Sequence, residues 1–299
     1  MAVDVTWLGH STVTVDVHAP GGRLRVVTDP VLRAGLGHLR RRPRTPAASA
    51  SQGCDVALVS HLHHDHLDLP SLRRLRPAVL VTPPGSSDWV RWRLDRPGTH
   101  VVEVAVGQTR ELRVRGRAVA VTALPAHHAG HRTGSGFSRA PRDAVAVEHL
   151  VRVPGAFPAR DRDDLLLWAI GDTGEFEGSD DVLTAGGRAP DVALVPVGGW
   201  GHTLGPHHLD PRQAAELVAR VRPGVSVPVH WGTLHPVALG RTMGDRFSAP
   251  GPAFVAHARR LGAGGALDVG VGGRVRLDDA AQVRGMSARR RPTSPDEGP

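Results

Sequence analysis

The sequence predicts an α/β protein in which two β-sheets are sandwiched by helices. Three observations carry that expectation. Short β-prone runs fill the N-terminal part, buried-strand runs alternate with helical patterns through the middle, and strands return before a polar C-terminal stretch.

Residues 3–8, 12–17 and 24–28 are β-prone runs separated by Gly-His-Ser and Ala-Pro-Gly-Gly, the pattern of a meander. Residues 30–53 show no clear period and read as a loop insertion. Residues 56–60 form a buried strand, Leu72 and Leu75 mark a short helix over 71–75, 79–82 is a strand and 84–94 a helix. Strands follow at 101–106, 112–114 and 118–124, then a loop over 127–140 rich in Gly, Ser, His and Arg. Residues 144–153 and 165–170 are strands, the second running into Gly171-Asp172-Thr173-Gly174, and 191–197 is another. Asp210-Pro211-Arg212-Gln213 is a helix start, with Asp as N-cap, Pro at the first position and Gln placed for a capping box. Residues 225–229 are a strand ending at His230, 253–261 a helix and 267–277 a final hairpin. Residues 1–277 are expected to form one domain, and the polar, Pro/Arg-rich stretch 278–299 a disordered tail.

With 299 residues, 40% of them hydrophobic, the chain can bury a large core. No secretory pattern and no apolar run of membrane-spanning length is present, which predicts a soluble, cytoplasmic protein without a transmembrane segment. The single cysteine, Cys54, excludes an internal disulfide framework and a Cys-based zinc cluster. The formal charge is +8, yet all 37 basic residues are Arg, while Lys, Asn and Tyr are absent and Ile occurs once, at Ile170. The missing types share AT-rich codons, so the bias is that of a GC-rich genome. The Arg clusters at 40–44 and 289–291 read as solvated loop charge, and a nucleic-acid partner is not expected.

The chemistry concentrates in residues 60–68, S-H-L-H-H-D-H-L-D, at the exit of a buried strand. On an extended backbone His61, His63 and Asp65 share a side, and His66 joins as the chain turns toward the helix. Imidazole and carboxylate in close spacing suit a divalent cation. Other polar groups stand at strand exits: His127 and His128, Asp172, and His230. Together they make a two-metal count. His61, His63 and His128 would hold one ion, Asp65, His66 and His230 the second, with Asp172 bridging. A hydroxide between the ions would be the nucleophile. Two dications outweigh two carboxylates and one hydroxide, so an anionic small-molecule substrate is expected. Zinc fits the donor set, with manganese or iron as alternatives.

These motifs carry a resemblance. The H-x-H-x-D-H signature of the metallo-β-lactamase fold superfamily stands here as His61-Leu62-His63-His64-Asp65-His66. More narrowly, the chain resembles the branch containing N-acyl-phosphatidylethanolamine phospholipase D and ascorbate-6-phosphate lactonase. The phospholipase side is matched by Trp7-Leu8-Gly9-His10-Ser11, Thr28-Asp29-Pro30, Asp65-His66-Leu67-Asp68, Gly171-Asp172-Thr173-Gly174, His208-Leu209-Asp210-Pro211 and Val229-His230-Trp231-Gly232-Thr233. The resemblance, over about 3–237, implies a four-layer αββα sandwich with metals at one edge. It puts the family's ligands on His61, His63, Asp65, His66, His128, Asp172 and His230, and a substrate-side histidine on His208. The pairs His127/His128 and His207/His208 leave each assignment open by one position, and the motif frame favours the second of each. His208, beside a helix N-terminus, could give a proton to a leaving group or bind a phosphoryl oxygen. Asp65 and His208 are the candidate catalytic residues, Asp65 doubling as a ligand. His10, Asp29 and Asp68 are candidates for orienting the ligands. Residues 199–203 and 133–164 have no clear counterpart in the family and are expected to shape the substrate pocket.

The expected activity is that of a binuclear metal-dependent hydrolase acting on a phosphodiester or phosphorylated small molecule. The alternatives are a lactonase or acyl-ester hydrolase, and, in a different class, a nucleic-acid-processing or binding protein. An oxygen-reducing di-iron protein on this fold would want a carboxylate where His63 stands.

Overall fold

Alternating valines make the N-terminal strands two-faced, and that alternation sets the first sheet. In β1 (Ala2–Gly9), β2 (Thr12–Ala19) and β3 (Gly22–Thr28), residues such as Val3, Val5, Val15, Val17 and Val26 enter one core, while Leu8 and Val27 enter a second on the opposite face. The strands pair antiparallel, with Val15 opposite both Val5 and Val26, as the meander pattern predicts. The computed structural model describes every residue except 20, 133–138, 202, 238, 240, 241, 279–282 and 287–299, and only the backbone at 283–286.

The chain then runs through β4 (Gly35–Leu36), β5 (Leu39–Arg41) and α1 (Ala48–Ser51). It returns for β6 (Val56–Leu58), α2 (Leu69–Leu75), β7 (Val79–Thr82), α3 (Ser87–Leu94) and β8 (His100–Glu103), with β3, β6, β7 and β8 parallel. Val56, Leu58, Val79 and Val81 face the first core. Ala57 and Leu80 face the second, where Leu72, Leu75, Val90 and Leu94 cover the sheet with helix. Each such leucine contributes about 1.5–3 kcal/mol by leaving water.

The second sheet starts with antiparallel β9 (Thr109–Val114), β10 (Arg117–Pro125), β11 (Val147–Val153) and β12 (Leu165–Ala169). After α4 (Val182–Gly186) come β13 (Val192–Pro196), α5 (Pro211–Val221) and β14 (Val225–Val229), with β12, β13 and β14 parallel. The chain finishes through β15 (Leu234–Pro236), a 3-10 turn (Gly244–Phe247), α6 (Pro250–Arg260), β16 (Arg274–Asp278) and β17 (Val283–Met286). The strand orders are β17-β16-β1-β2-β3-β6-β7-β8 and β14-β13-β12-β11-β10-β9, with β15-β5-β4 as a small third sheet.

The inner faces of both large sheets share the first core, which extends over β12–β14 to Ala214, Leu217, Val218 of α5 and Phe254 of α6. With α2 and α3 outside one sheet and α5 and α6 outside the other, the architecture is the αββα sandwich. Helix α5 begins at the predicted capping box: the Asp210 carboxylate accepts from the Arg212 and Gln213 amides, and the Gln213 side chain accepts from the Asp210 amide.

Three expectations are corrected. The unperiodic stretch 30–53 is not merely a loop, because β4 and β5 pair with each other and β5 with β15. Strands of two or three residues show no period to read. The buried Arg41 guanidinium anchors them by donating to the Leu8 and Val31 carbonyls at 2.9 and 2.6 Å. The final hairpin is β16–β17, one strand later than the expected 267–277, and β17 lies within the stretch expected to be a tail. Residues 279–282 and 287–299 of that stretch lie outside the described residues.

Candidate metal centre

Strand ends from both sheets meet at one edge of the sandwich. After β6 the chain is bound to the second sheet, with the Val147 amide donating to the Ser60 carbonyl at 3.0 Å and the Leu62 amide to the Gly130 carbonyl at 2.9 Å. The Leu67 amide then donates to the His63 carbonyl at 2.8 Å. Residues 63–67 therefore turn, and the extended-strand expectation for this stretch is wrong: His61, His63, Asp65 and His66 converge because the chain curls around them. Gly171 is needed for the approach of β12, since its φ is +70° and a Cβ there would lie 2.6 Å from the Ser60 side chain.

Asp172 sits at the centre. Its carboxylate oxygens lie 3.1 Å from His66 Nε2, 3.0 Å from His230 Nε2, 3.5 Å from His208 Nε2, and 3.9 Å from both His61 Nε2 and His128 Nε2. His63 Nδ1 lies 2.9 Å from His61 Nε2 and 3.2 Å from His128 Nε2. Asp65 Oδ2 is 3.8 Å from His230 Nε2 and 3.9 Å from His66 Nε2. All eight residues singled out in the sequence, His208 included, thus face one space.

The ring orientations test whether a cation fits. His66 Nδ1 donates to Asp29 Oδ2 at 2.8 Å, His230 Nδ1 to the Gly198 carbonyl at 2.8 Å, and His128 Nδ1 to the His207 carbonyl at 2.9 Å. His208 Nδ1 donates to the Leu204 carbonyl at 2.6 Å, and His61 Nδ1 meets Ser60 Oγ at 3.0 Å. With Nδ1 so occupied, each ring turns its Nε2 inward, where it becomes a donor atom for a cation once the ring is neutral. His66 Nε2, His230 Nε2 and Asp172 Oδ1 are buried without a hydrogen-bond partner. Tetrahedral zinc–nitrogen bonds would separate ligand nitrogens by about 3.3 Å, close to the spacing of His61, His63 and His128. Imidazole nitrogens and a carboxylate crowded on one another fit a bound cation, and the residues present suit it.

Charge follows the same geometry. Burial lowers His61 well below the ordinary histidine value, and burial takes His63 to about 4 and lowers His128. Burial also opposes charge on His66 and His230, but the Asp172 carboxylate, joined at His66 by Asp29, overrides it. His66 is raised well above its usual value and His230 to about 9. Burial disfavours ionised Asp172 and Asp65 too. The charges of His230 and His66 nonetheless hold Asp172 well below the carboxylate range, and the hydrogen bond from His10, with the His230 and His66 rings close by, does so for Asp65.

The paired histidines separate cleanly. His128 and His208 face the centre, whereas His127 turns to the Glu175 carbonyl and stacks edge-on to His207. His10 and Asp29 support the cluster as expected. His10 Nε2 donates to Asp65 Oδ2 at 2.9 Å, and Asp29 accepts from Ser60 and His66. Asp68 does not, because its carboxylate caps α2 through the Ser71 amide and pairs with Arg33. Helix α5 offers no open N-terminus to a phosphoryl group, since Asp210 already fills it. His10, Asp29 and His230 all have left-handed backbones, with φ of 54°, 34° and 63°, each costing on the order of 1–3 kcal/mol. The sandwich holds them there: His230 N donates to the His10 carbonyl at 3.0 Å and His10 N to Thr233 Oγ1 at 2.7 Å.

Above the cluster opens a cavity of about 460 Å³. Leu36, Leu39, Trp200 and Leu204 wall it, with His38 and His208 as polar groups. Residues 199–201 and 203 line it, as expected for 199–203, whereas none of the described residues 139–164 does, contrary to the expectation for 133–164; His202 and residues 133–138 lie outside the described residues. Sequence reasoning missed Trp200 as an individual, although its indole Nε1 donates to Asp65 Oδ2 at 2.8 Å. A tryptophan among glycines after a buried strand was the available signal. None of the described lining residues is Arg.

Fold and site together define a domain of the metallo-β-lactamase superfamily with a candidate metal centre. Residues 24–231 match the family described as beta-lactamase superfamily domain, and the chain belongs to it. It is 31% identical over 247 residues to N-acyl-phosphatidylethanolamine-hydrolyzing phospholipase D 1 of Caenorhabditis elegans, a match covering 76% of this chain and 63% of that protein. A metal-dependent hydrolase of Cupriavidus taiwanensis is 27% identical over 246 residues, covering 77% and 74%. Among solved structures, Igni18, a metallo hydrolase from the archaeon Ignicoccus hospitalis, superposes with a TM-score of 0.62 at 20% identity, over 93% of this chain and 99% of that one.

Proposed function

We propose that the chain is a binuclear metal-dependent hydrolase that cleaves a phosphodiester carrying an apolar arm, with the expected domain of residues 1–277 extended through β17. The observation that carries this reading is the inward convergence of His61, His66, His128, His208 and His230 Nε2 on Asp172, directly beneath a cavity with an apolar wall. His61, His63 and His128 would hold one ion, Asp65, His66 and His230 the other, and Asp172 would bridge. A divalent metal held by these residues would supply, by lowering the pKa of water, a nucleophile at neutral pH.

The chain's own residues do the rest. Asp29, Gly198 and His207 fix the rings by accepting their outer N–H groups, so the donors are aimed before any ligand arrives. Leu36, Leu39, Trp200 and Leu204 exclude water from the arm of the substrate. His208, with its side chain 27% exposed to the cavity, is placed to pass a proton to the leaving oxygen. The lining favours a diester over a monoester. A diester brings one negative charge to the cluster, whereas a monoester brings a second, and no guanidinium among the described lining residues receives it. The worm relative's name, a phospholipase D, agrees with a diester.

That same lack of a guanidinium favours, as a second reading, a neutral carbonyl ester or lactone. Metal analysis of the purified chain, with mass spectrometry of products from aryl phosphodiesters, phosphomonoesters and lactones, separates the readings. Cleavage of diesters alone supports the first, of lactones alone the second, and a preparation that retains no metal and cleaves neither refutes both.

A further inference from the structure

We infer that Trp200 is a positioning residue for Asp65, and through it for the second ion; the inference rests on the metal site proposed above. Trp200 follows β13 in the segment Gly198-Gly199-Trp200-Gly201, whose Gly198 carbonyl also accepts from His230 Nδ1 at 2.8 Å. One short stretch of backbone therefore holds two of the three groups assigned to the second ion. The indole Nε1–H donates to Asp65 Oδ2 at 2.8 Å, and His10 Nε2 donates to the same oxygen at 2.9 Å. An ionised carboxylate only accepts, so both nitrogens carry their protons. Both donors meet Oδ2, the Asp65 oxygen that lies 3.8 and 3.9 Å from His230 and His66 Nε2, and together they fix the carboxylate beside the second ion's rings.

The two donors differ in what else they touch. His10 is wholly buried behind the cluster, whereas the Trp200 ring forms a wall of the cavity and lies edge-on to His38, ring centres 5.6 Å apart. An apolar arm in the cavity presses on the ring that orients a metal ligand. A wall alone needs no polar atom; phenylalanine would serve as well. The indole N–H is the part that a wall does not explain.

The test uses the full-length chain, first metal-free. In the ¹⁵N-correlated spectrum the Trp200 indole signal is identified as the one missing from Trp200→Phe, and unchanged positions of the remaining indole signals show that the variant folds. Asp65→Asn is expected to move the Trp200 signal. Zinc titration is expected to show binding to Trp200→Phe weaker by about tenfold at one site, the usual scale for losing a group that orients a ligand. A Trp200 signal unmoved by Asp65→Asn, or zinc affinity in Trp200→Phe within twofold of the parent at every site, overturns the inference. Zinc stoichiometry of the parent, read in the same titration, tests the two-ion reading separately. One ion per chain would sink that reading, while the indole signal and the affinity comparison still decide the role of Trp200.

Discussion

Adding zinc to the metal-free chain should expel protons, and their number follows from the site. His66 lies well above its ordinary value and His230 near 9, because Asp172 and Asp29 face them; at pH 7 both rings carry two protons. A ring that binds a cation through Nε2 must give up the proton there. His61, His63 and His128 are already neutral, since burial has lowered them, so they release none. Full loading at pH 7 should therefore release about two protons from imidazole, and a water that ionises on binding adds to that count. For His230, raised to about 9, the proton competes with zinc at pH 7 and weakens it on the order of a hundredfold. Through His230 alone the zinc affinity should rise about tenfold per pH unit between pH 6 and 8, with His66 making the rise steeper, and level off as pH passes through about 9. Chelator competition across pH, with calorimetry in buffers of different ionisation enthalpy, measures both quantities. An affinity flat from pH 6 to 8, or loading without proton release at pH 7, would refute this account.

Other outcomes follow from the same geometry. Asp172→Ala removes the group facing all five inward rings, so bound metal should drop to one ion or fewer per chain, and hydrolysis by at least a hundredfold on the scale of a lost two-metal clamp. His208→Gln should lower kcat by about 10²–10⁴ while metal content holds, if the ring passes a proton as proposed; unchanged kcat excludes that role. Asp68→Ala should cost about 1–2 kcal/mol in denaturant unfolding through the lost cap of α2, yet leave metal content intact. In the metal-free chain, the stability that His230 gains from Asp172 should be fully present below about pH 6.5 and be lost as pH rises through about 9; urea unfolding of the chelator-treated chain across that window checks the sign.

The layers of the fold were legible because the core follows simple periods. Valines at every second residue mark β1–β3, and Asp210-Pro211 with Gln213 marks the start of α5. The site was legible because its polar residues stand where apolar runs stop, at 61, 128, 172 and 230. What resisted reading depends on contacts remote in sequence. Nothing local to 35–41 says that Leu39–Arg41 will pair with Leu234–Pro236. Nothing in D-H-L-D says that Asp65 will meet Trp200 while Asp68 turns away to cap a helix. The turn at His63 was misread as extended because its hydrogen bond, from Leu67 to His63, lies among residues whose alternation mimics a strand.

The donors at the edge of the sandwich come from both halves of the chain. His61, His63, Asp65 and His66 follow β6 of one sheet, while His128, Asp172 and His230 follow β10, β12 and β14 of the other. A cation gripped by both groups rivets two layers that the main-chain bonds from Val147 to Ser60 and from His230 to His10 already join at that edge. Uptake of metal would then complete the tertiary structure as well, and a chain starved of metal would splay first at the very edge where the cavity opens.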